Sequence, residues 1–125
     1  MLISLLQKQT PLIDVRSPIE YKKGALPNSI NLPILLDDER EQVGKAYKKL
    51  GPGPATDLGF KLVSRDIKEK RVNNWLNFIS NNPSAQIYCA RGGQRSKIAQ
   101  TWIAERGVNI SKIDGGFKSL RNECL

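Results

Sequence analysis

The stretch Gln86-Ile87-Tyr88-Cys89-Ala90-Arg91-Gly92-Gly93-Gln94-Arg95-Ser96 decides how this chain is read. Its first four residues predict a short buried strand. From Arg95 to Arg106, Ile98, Ala99, Trp102 and Ile103 fall on one apolar helical face, and Gly107 supplies a C-terminal cap. Between strand and helix, Gly92-Gly93 allows tight, partly left-handed backbone, so that successive N–H groups turn inward as an anion cradle. The positive end of the helix dipole lies behind that cradle, and Arg91 and Arg95 add full charges. Cys89 heads the loop, and Ala90 and Gln94 complete it. Such surroundings stabilise a thiolate, a persulfide or perselenide anion, or a bound oxyanion, without a general base. The plainer reading is an inert structural thiol at a strand end.

Outward from the loop, strands alternate with helices. Leu12–Val15, Ser29–Leu32, Gln86–Cys89 and Ile110–Ile113 read as strands. A helical turn runs from Pro18 to Lys23 and closes at Gly24. A helix begins at the acids Asp37-Asp38-Glu39 and stops at Gly51, with its charges ordered to suit the dipole. Gly51-Pro52-Gly53-Pro54 reads as a breaker. After it, Thr56 or Asp57 caps a helix carrying Leu58, Leu62, Val63 and Ile67, which continues through Trp75, Leu76 and Ile79 with a bend expected at Lys68–Arg71. Leu2, Leu5 and Leu6 suit a short opening helix, and Asp114-Gly115-Gly116 leads into a closing one. The expected fold is α/β: a single domain over residues 1–125, with a parallel sheet, helices on both faces, and a helical insertion at about 37–82. In such folds ligands bind beyond the carboxyl ends of the strands, where Cys89, Asp14 and Arg16 fall.

Composition narrows the chemistry. A chain of 125 residues, 39% hydrophobic, suits one core, and no stretch is long enough to span a bilayer. The N-terminus lacks a basic lead-in, so a cytoplasmic protein with both cysteines, Cys89 and Cys124, reduced is expected. With no histidine, most metal sites and every Cys-His or Ser-His-Asp arrangement are excluded. No metal and no bound cofactor are expected. The net charge of +8 favours an anionic partner, although a solvated basic surface is the alternative.

Supporting residues carry two readings each. Asp14 and Arg16 either orient the cysteine loop or bind substrate, or they are structural, for instance through an Arg16–Glu20 ion pair. Arg91 grips an anion or faces solvent, and Arg95 alternatively bonds loop carbonyls. Ser96 caps the helix or donates to the Cys89 sulfur, with capping the expected role. Trp75 and Trp102 lie on apolar stripes and are expected in the core.

Leu12-Ile13-Asp14-Val15-Arg16, Gly24-Ala25-Leu26-Pro27-Asn28-Ser29-Ile30-Asn31-Leu32-Pro33, the cysteine loop and Asp114-Gly115-Gly116-Phe117 resemble the ordered landmarks of rhodanese domains. Tyr88 to Ser96, Asp38-Glu39-Arg40 with Val43-Gly44 and Tyr47-Lys48, Leu58-Gly59 with Lys61-Leu62-Val63, and Gly115 to Arg121 resemble, more narrowly, the tRNA 2-selenouridine synthase family. That family joins a rhodanese-like domain to a P-loop domain. It replaces sulfur by selenium in wobble 2-thiouridine, using selenophosphate, and also geranylates the thiouridine. The resemblance implies that Cys89 is the essential nucleophile, that selenophosphate or a sulfur donor is a substrate, and that tRNA and a P-loop domain or protein are partners. Gly44-Lys45 lacks the surroundings of a phosphate-binding loop, so the chain reads as a rhodanese half alone. Lys45, Lys48, Lys49, Lys61, Arg65, Lys68, Lys70 and Arg71, clustered in the insertion, are expected to contact tRNA phosphates, against the alternative of ordinary solvated helix faces. Two rival functions remain. The C-x5-R spacing also suits a cysteine phosphatase or arsenate reductase, although Tyr88 stands where such enzymes place a histidine. A non-catalytic module docking tRNA or a P-loop partner is the other.

Overall fold

The structure is a computed structural model that describes residues 10–90 and 94–113. The expected terminal helices, Arg91, Gly92, Gly93 and Cys124 lie outside the described residues. Four parallel strands, β1 (Leu12–Asp14), β2 (Ser29–Asn31), β3 (Gln86–Tyr88) and β4 (Ser111–Lys112), form a sheet of order β2-β1-β3-β4. Among the described residues five helices intervene: α1 (Pro18–Lys23), α2 (Asp37–Leu50), α3 (Pro52–Leu62), α4 (Arg65–Asn81) and α5 (Gln94–Ala104). The α/β reading of the sequence holds. The chain leaves β1 towards β2 and returns to pair β3 on the other side of β1, so the strand order reverses between β1 and β3. Beyond the carboxyl ends of those two strands lies the position where open α/β sheets take their ligands.

Side-chain alternation on β1 and β3 divides the core. Ile13, Val15, Ile87 and Cys89 point to one face, where they meet Val72 and Trp75 of α4 and Ala99, Trp102 and Ile103 of α5. Leu12 and Tyr88 point to the other, with Leu26 and Ile113. Trp75 and Trp102 stack at 6.3 Å, both buried as expected, and Trp75 Nε1 donates to Leu32 O at 2.7 Å.

The helices between β2 and β3 depart from expectation in two places. Only Gly51, at φ 91, acts as a breaker; Pro52 opens α3 at once, and Thr56 and Asp57 lie inside that helix instead of capping it. The first turn of a helix needs no N–H from its leading residues, so proline is tolerated there. The second break falls at Val63–Ser64, and α4 continues unbroken through Lys68–Arg71. Ser64 takes an extended conformation and its carbonyl accepts from Ile67 and Lys68, while the charges crowded at 68–71 point to separate partners. Lys68 reaches Glu105, and Arg71 grips Glu39 at 2.7 and 3.0 Å while also donating to Ile34 O.

Arg71 therefore ties α4 to the start of α2 and is not a free cation for an anionic partner. Burial opposes ionisation of Glu39, but the bonds from Arg71 and from the Leu36 N–H overcome it and hold the carboxyl below its ordinary range. Replacing Arg71 with Ala leaves Glu39 with the Leu36 N–H alone and takes the side-chain donor from the Ile34 carbonyl, and it is expected to destabilise the fold by about 2–4 kcal/mol. Urea denaturation measures this; a loss under about 0.5 kcal/mol, the range of ordinary surface substitutions, contradicts it.

Candidate active site

Asp14, the last residue of β1, is wholly buried and collects donors at the sheet's carboxyl edge. Arg16 donates to both of its carboxylate oxygens through Nε and Nη2, and the Arg16 N–H adds a bond at 2.9 Å. Tyr88 Oη, from the neighbouring strand, donates to Asp14 Oδ2 at 2.8 Å and accepts the Leu26 N–H. Arg16 Nη2 also donates to Gly24 O, and its guanidinium lies 5.8 Å from the Tyr88 ring centroid. The Arg16–Glu20 pair weighed from the sequence is thus replaced by Arg16–Asp14, while the Glu20 carboxylate is taken by Arg95. Burial, then the charge of Asp14, pushes the Tyr88 phenol above its ordinary value. Burial also opposes the charge on Arg16, but hydrogen bonding and attraction from Asp14 outweigh it and the guanidinium is raised.

Cys89 follows β3 directly, and its side chain is almost wholly buried. Ser96, in the first turn of α5, donates its backbone N–H to Sγ at 3.3 Å. This N–H is one of those a helix start leaves without an internal acceptor, so the sulfur occupies the place a capping oxygen would take. The Ser96 hydroxyl lies 3.3 Å from Sγ and the Ala90 carbonyl 3.4 Å, and the thiol hydrogen can donate to either. The expected capping role of Ser96 is therefore corrected: with Ser96 inside the helix, its hydroxyl faces the sulfur.

Arg95 stands one position earlier on α5, and among the described residues its guanidinium bonds a carboxylate and no loop carbonyl. Its Nη1 and Nη2 grip Glu20 of α1 at 2.6 and 3.1 Å, and Arg40 adds a looser contact to the same carboxylate at 3.3 Å. Glu20 also accepts the N–H and hydroxyl of Ser17. Sequence reasoning misses Glu20 as a site residue. The Ser17-x-x-Glu20 spacing announces a capping box, but not a partner 75 positions away.

A cavity of about 680 Å3 opens against Cys89 and Arg95, walled by α2, α3 and α5. Val43, Tyr47, Phe60, Ile98 and Trp102 make its walls largely apolar. Among the described residues, no cluster of His, Cys, Asp or Glu could hold a metal ion.

Burial raises the Glu20 pKa, but hydrogen bonds and attraction from Arg95, with further bonds from Ser17, outweigh it and bring it down to about 2. A depressed carboxylate stabilises the fold above its unfolded value of 4.5 and loses that contribution as pH falls towards 2. The wild-type chain is thus expected to lose stability between pH 5 and 2 more steeply than Glu20→Gln, which is itself less stable at pH 7 by about 1–3 kcal/mol. Denaturation midpoints measured across that range check this, and parallel curves contradict it.

Residues 1–123 match the family model for the rhodanese-like domain. The tRNA 2-selenouridine synthase of Sulfurovum sp. (strain NBC37-1) is 51% identical over 119 residues, which are 95% of this chain and 33% of that protein. The enzyme of that description from Bdellovibrio bacteriovorus is 49% identical over 122 residues, 98% of this chain and 32% of its own. The chain thus spans about a third of the length of these curated relatives. A crystallised N-terminal domain from Clostridium difficile 630, of a protein described as ATP/GTP-binding, superposes with a TM-score of 0.82 at 35% identity, covering 91% of this chain and 88% of that one. The fold, the strand-end cysteine and a family match over nearly every residue agree: the chain belongs to the rhodanese-like domain family.

Proposed function

We propose that this domain carries sulfur or selenium on Cys89 for conversion of wobble 2-thiouridine to 2-selenouridine in tRNA, working with a P-loop domain or protein. The observation that supports this most is the seat of Cys89. Its sulfur follows a strand at the sheet's switch point, accepts the Ser96 N–H, and faces the positive end of α5. A thiolate there attacks the outer sulfur of a sulfane donor such as thiosulfate. The donor's S–S bond breaks, sulfite leaves with the bonding pair, and a new S–S bond forms on Sγ as a persulfide anion. The same N–H and the Ser96 hydroxyl, now donating, hold the charge that results. Selenium loads Cys89 by the same displacement only from a donor at that oxidation level, such as selenosulfate with sulfite leaving; selenophosphate, whose selenium is already at the selenide level, serves the exchange on tRNA and not this step. Arg91, Gly92 and Gly93, outside the described residues, complete the proposed cradle with Ala90 and Gln94.

The rival phosphatase reading needs Arg95 as an oxyanion clamp, but both of its terminal nitrogens hold Glu20. Within the full-length protein, Cys89→Ser is expected to reduce tRNA 2-selenouridine by at least about a hundredfold, as nucleophile replacements do. Mass spectrometry of digested tRNA measures it, and undiminished modification overturns the reading. In the isolated domain, Ser96→Ala is expected to slow persulfide formation on Cys89 by roughly tenfold or more, the worth of one charge-assisted hydrogen bond.

We propose Lys45, Lys48 and Lys49 of α2 with Lys61, Arg65 and Lys70 of α3 and α4, all exposed, as the tRNA surface; Lys45 meets Glu41 only in a solvated pair one helical turn apart. Lys68 is occupied by Glu105 and the Trp102 ring, and Arg71 by Glu39, so these two leave the set. Reversing four of the exposed charges is expected to weaken tRNA binding and to flatten its dependence on salt, by roughly one unit of log–log slope for each phosphate no longer neutralised. A salt slope equal to that of the wild type rules this surface out.

A further inference from the structure

The cavity beside Cys89 is far larger than any sulfur or selenium donor anion requires. At about 680 Å3 it falls in the range of pockets that take whole organic ligands, about 300–1,000 Å3. Its walls are the wrong chemistry for a small oxyanion, because Val43, Ile98, Tyr47, Phe60 and Trp102 face it. Of the aromatic rings, Trp102 is already committed: it stacks on Trp75, carries Lys68 Nζ 4.8 Å from its centroid, and meets Phe60 at 6.2 Å. Phe60 and Tyr47 keep open faces. They remain 45% and 59% exposed, whereas Trp102 is 7% exposed. Apart from Arg95, which is held by Glu20 beside Cys89, the charges that line the cavity lie along α2. Arg40 holds Glu20 loosely, Lys45 pairs with Glu41 at the surface, and Lys48 forms no ion pair among the described residues.

Apolar aromatic faces beside a line of cations are complementary to a nucleotide: a flat ring to stack and a phosphate to neutralise. An enzyme that alters a base must also take that base out of its stack and into a pocket. We infer that this cavity is a nucleobase pocket, in which an extruded uridine-type base lies against Phe60 and Tyr47 with its ring edge towards Cys89 Sγ, and its phosphate meets Lys45 and Lys48. The inference rests on the reading of Cys89 as the transfer residue, and it gives the hairpin of α2 and α3 a purpose: it is the wall that holds the substrate base. An apolar segment of a partner protein would fit the walls but leave the cations of α2 unanswered.

The test is a nuclear magnetic resonance titration of the 125-residue chain with 2-thiouridine 5′-monophosphate. The expected result is shifts concentrated on Tyr47, Phe60, Ile98 and the Trp102 indole. Phe60→Ala is expected to weaken binding by roughly tenfold, the worth of one stacking contact. Phe60 is half exposed, so its removal leaves the core intact. Ile67→Ser, an exposed change on α4 away from the cavity, is the control and should bind as the wild type does. Shifts elsewhere, no shifts at millimolar nucleotide, or equal affinity in Phe60→Ala and Ile67→Ser overturn the pocket. Persulfide loading of wild-type Cys89 from thiosulfate, read by intact mass, separates the two claims. Loading without nucleotide binding removes the pocket alone, and absence of loading removes the transfer reading on which it rests.

Discussion

The carboxyl edge of this sheet is held together by one buried carboxylate. Asp14 ends β1, Tyr88 ends β3, and the hydrogen bond between them fixes the two strands at the point where strand order reverses. A charge at zero exposure is costly unless nearly every lone pair is used, and here Arg16 supplies a bidentate grip, its own N–H and the compensating positive charge. An apolar cluster of equal volume would cost less to bury. What it would lack is direction, because only hydrogen bonds specify which atom of β1 faces which atom of β3. Cys89 is the next residue after Tyr88, so the sulfur's position is set by a network centred one residue away on the opposite face of the sheet.

A second ion pair does the same for the helices. Glu20 sits in the capping box of α1 and reaches Arg95 in the first turn of α5. The two helices that flank the site, far apart in sequence, are thereby fixed to one another. In the proposed mechanism the distance from Ser96 N–H to sulfur decides how well the anion is held, and Ser96 is the neighbour of Arg95. Asp14 aligns the sulfur from the strand side, and Glu20 aligns the donor from the helix side.

Much of this is legible in the sequence, and the reasons for the misses are physical. Periodicity locates the strands and the apolar faces carrying Trp75 and Trp102, because alternation and helical spacing record burial directly. The loop from Cys89 announces a strand passing into a helix. Arg16, Arg95 and Arg71 stand out as charges, but their partners do not. Choice of partner depends on which carboxylate the fold brings near, and the separations of 75 and 32 positions carry no local signal, whereas Asp14, two positions before Arg16, is close in sequence and competes there with Glu20. Residue type alone suggests a cap at Ser96, although the helix begins two positions earlier and the nearest acceptor for its N–H is sulfur. The cavity is not legible at all, since it depends on how the hairpin of α2 and α3 stands over α5.

The groups available for proton transfer also limit what the site can do. Displacing an alkoxide or aryloxide from phosphorus calls for an acid to protonate the leaving group. The carboxylate that holds the loop arginine is Glu20, and with a pKa of about 2 it is ionised at any physiological pH. The chain contains no histidine, and Tyr88 holds its proton more tightly than an ordinary phenol. Sulfane transfer makes no such demand: sulfite is a stable anion on departure, and the product persulfide is an anion too. The described site, with an N–H donor, a hydroxyl and a helix start around the sulfur, stabilises anions without supplying protons. That balance of groups favours movement of a soft atom between anions over hydrolysis of a phosphate ester.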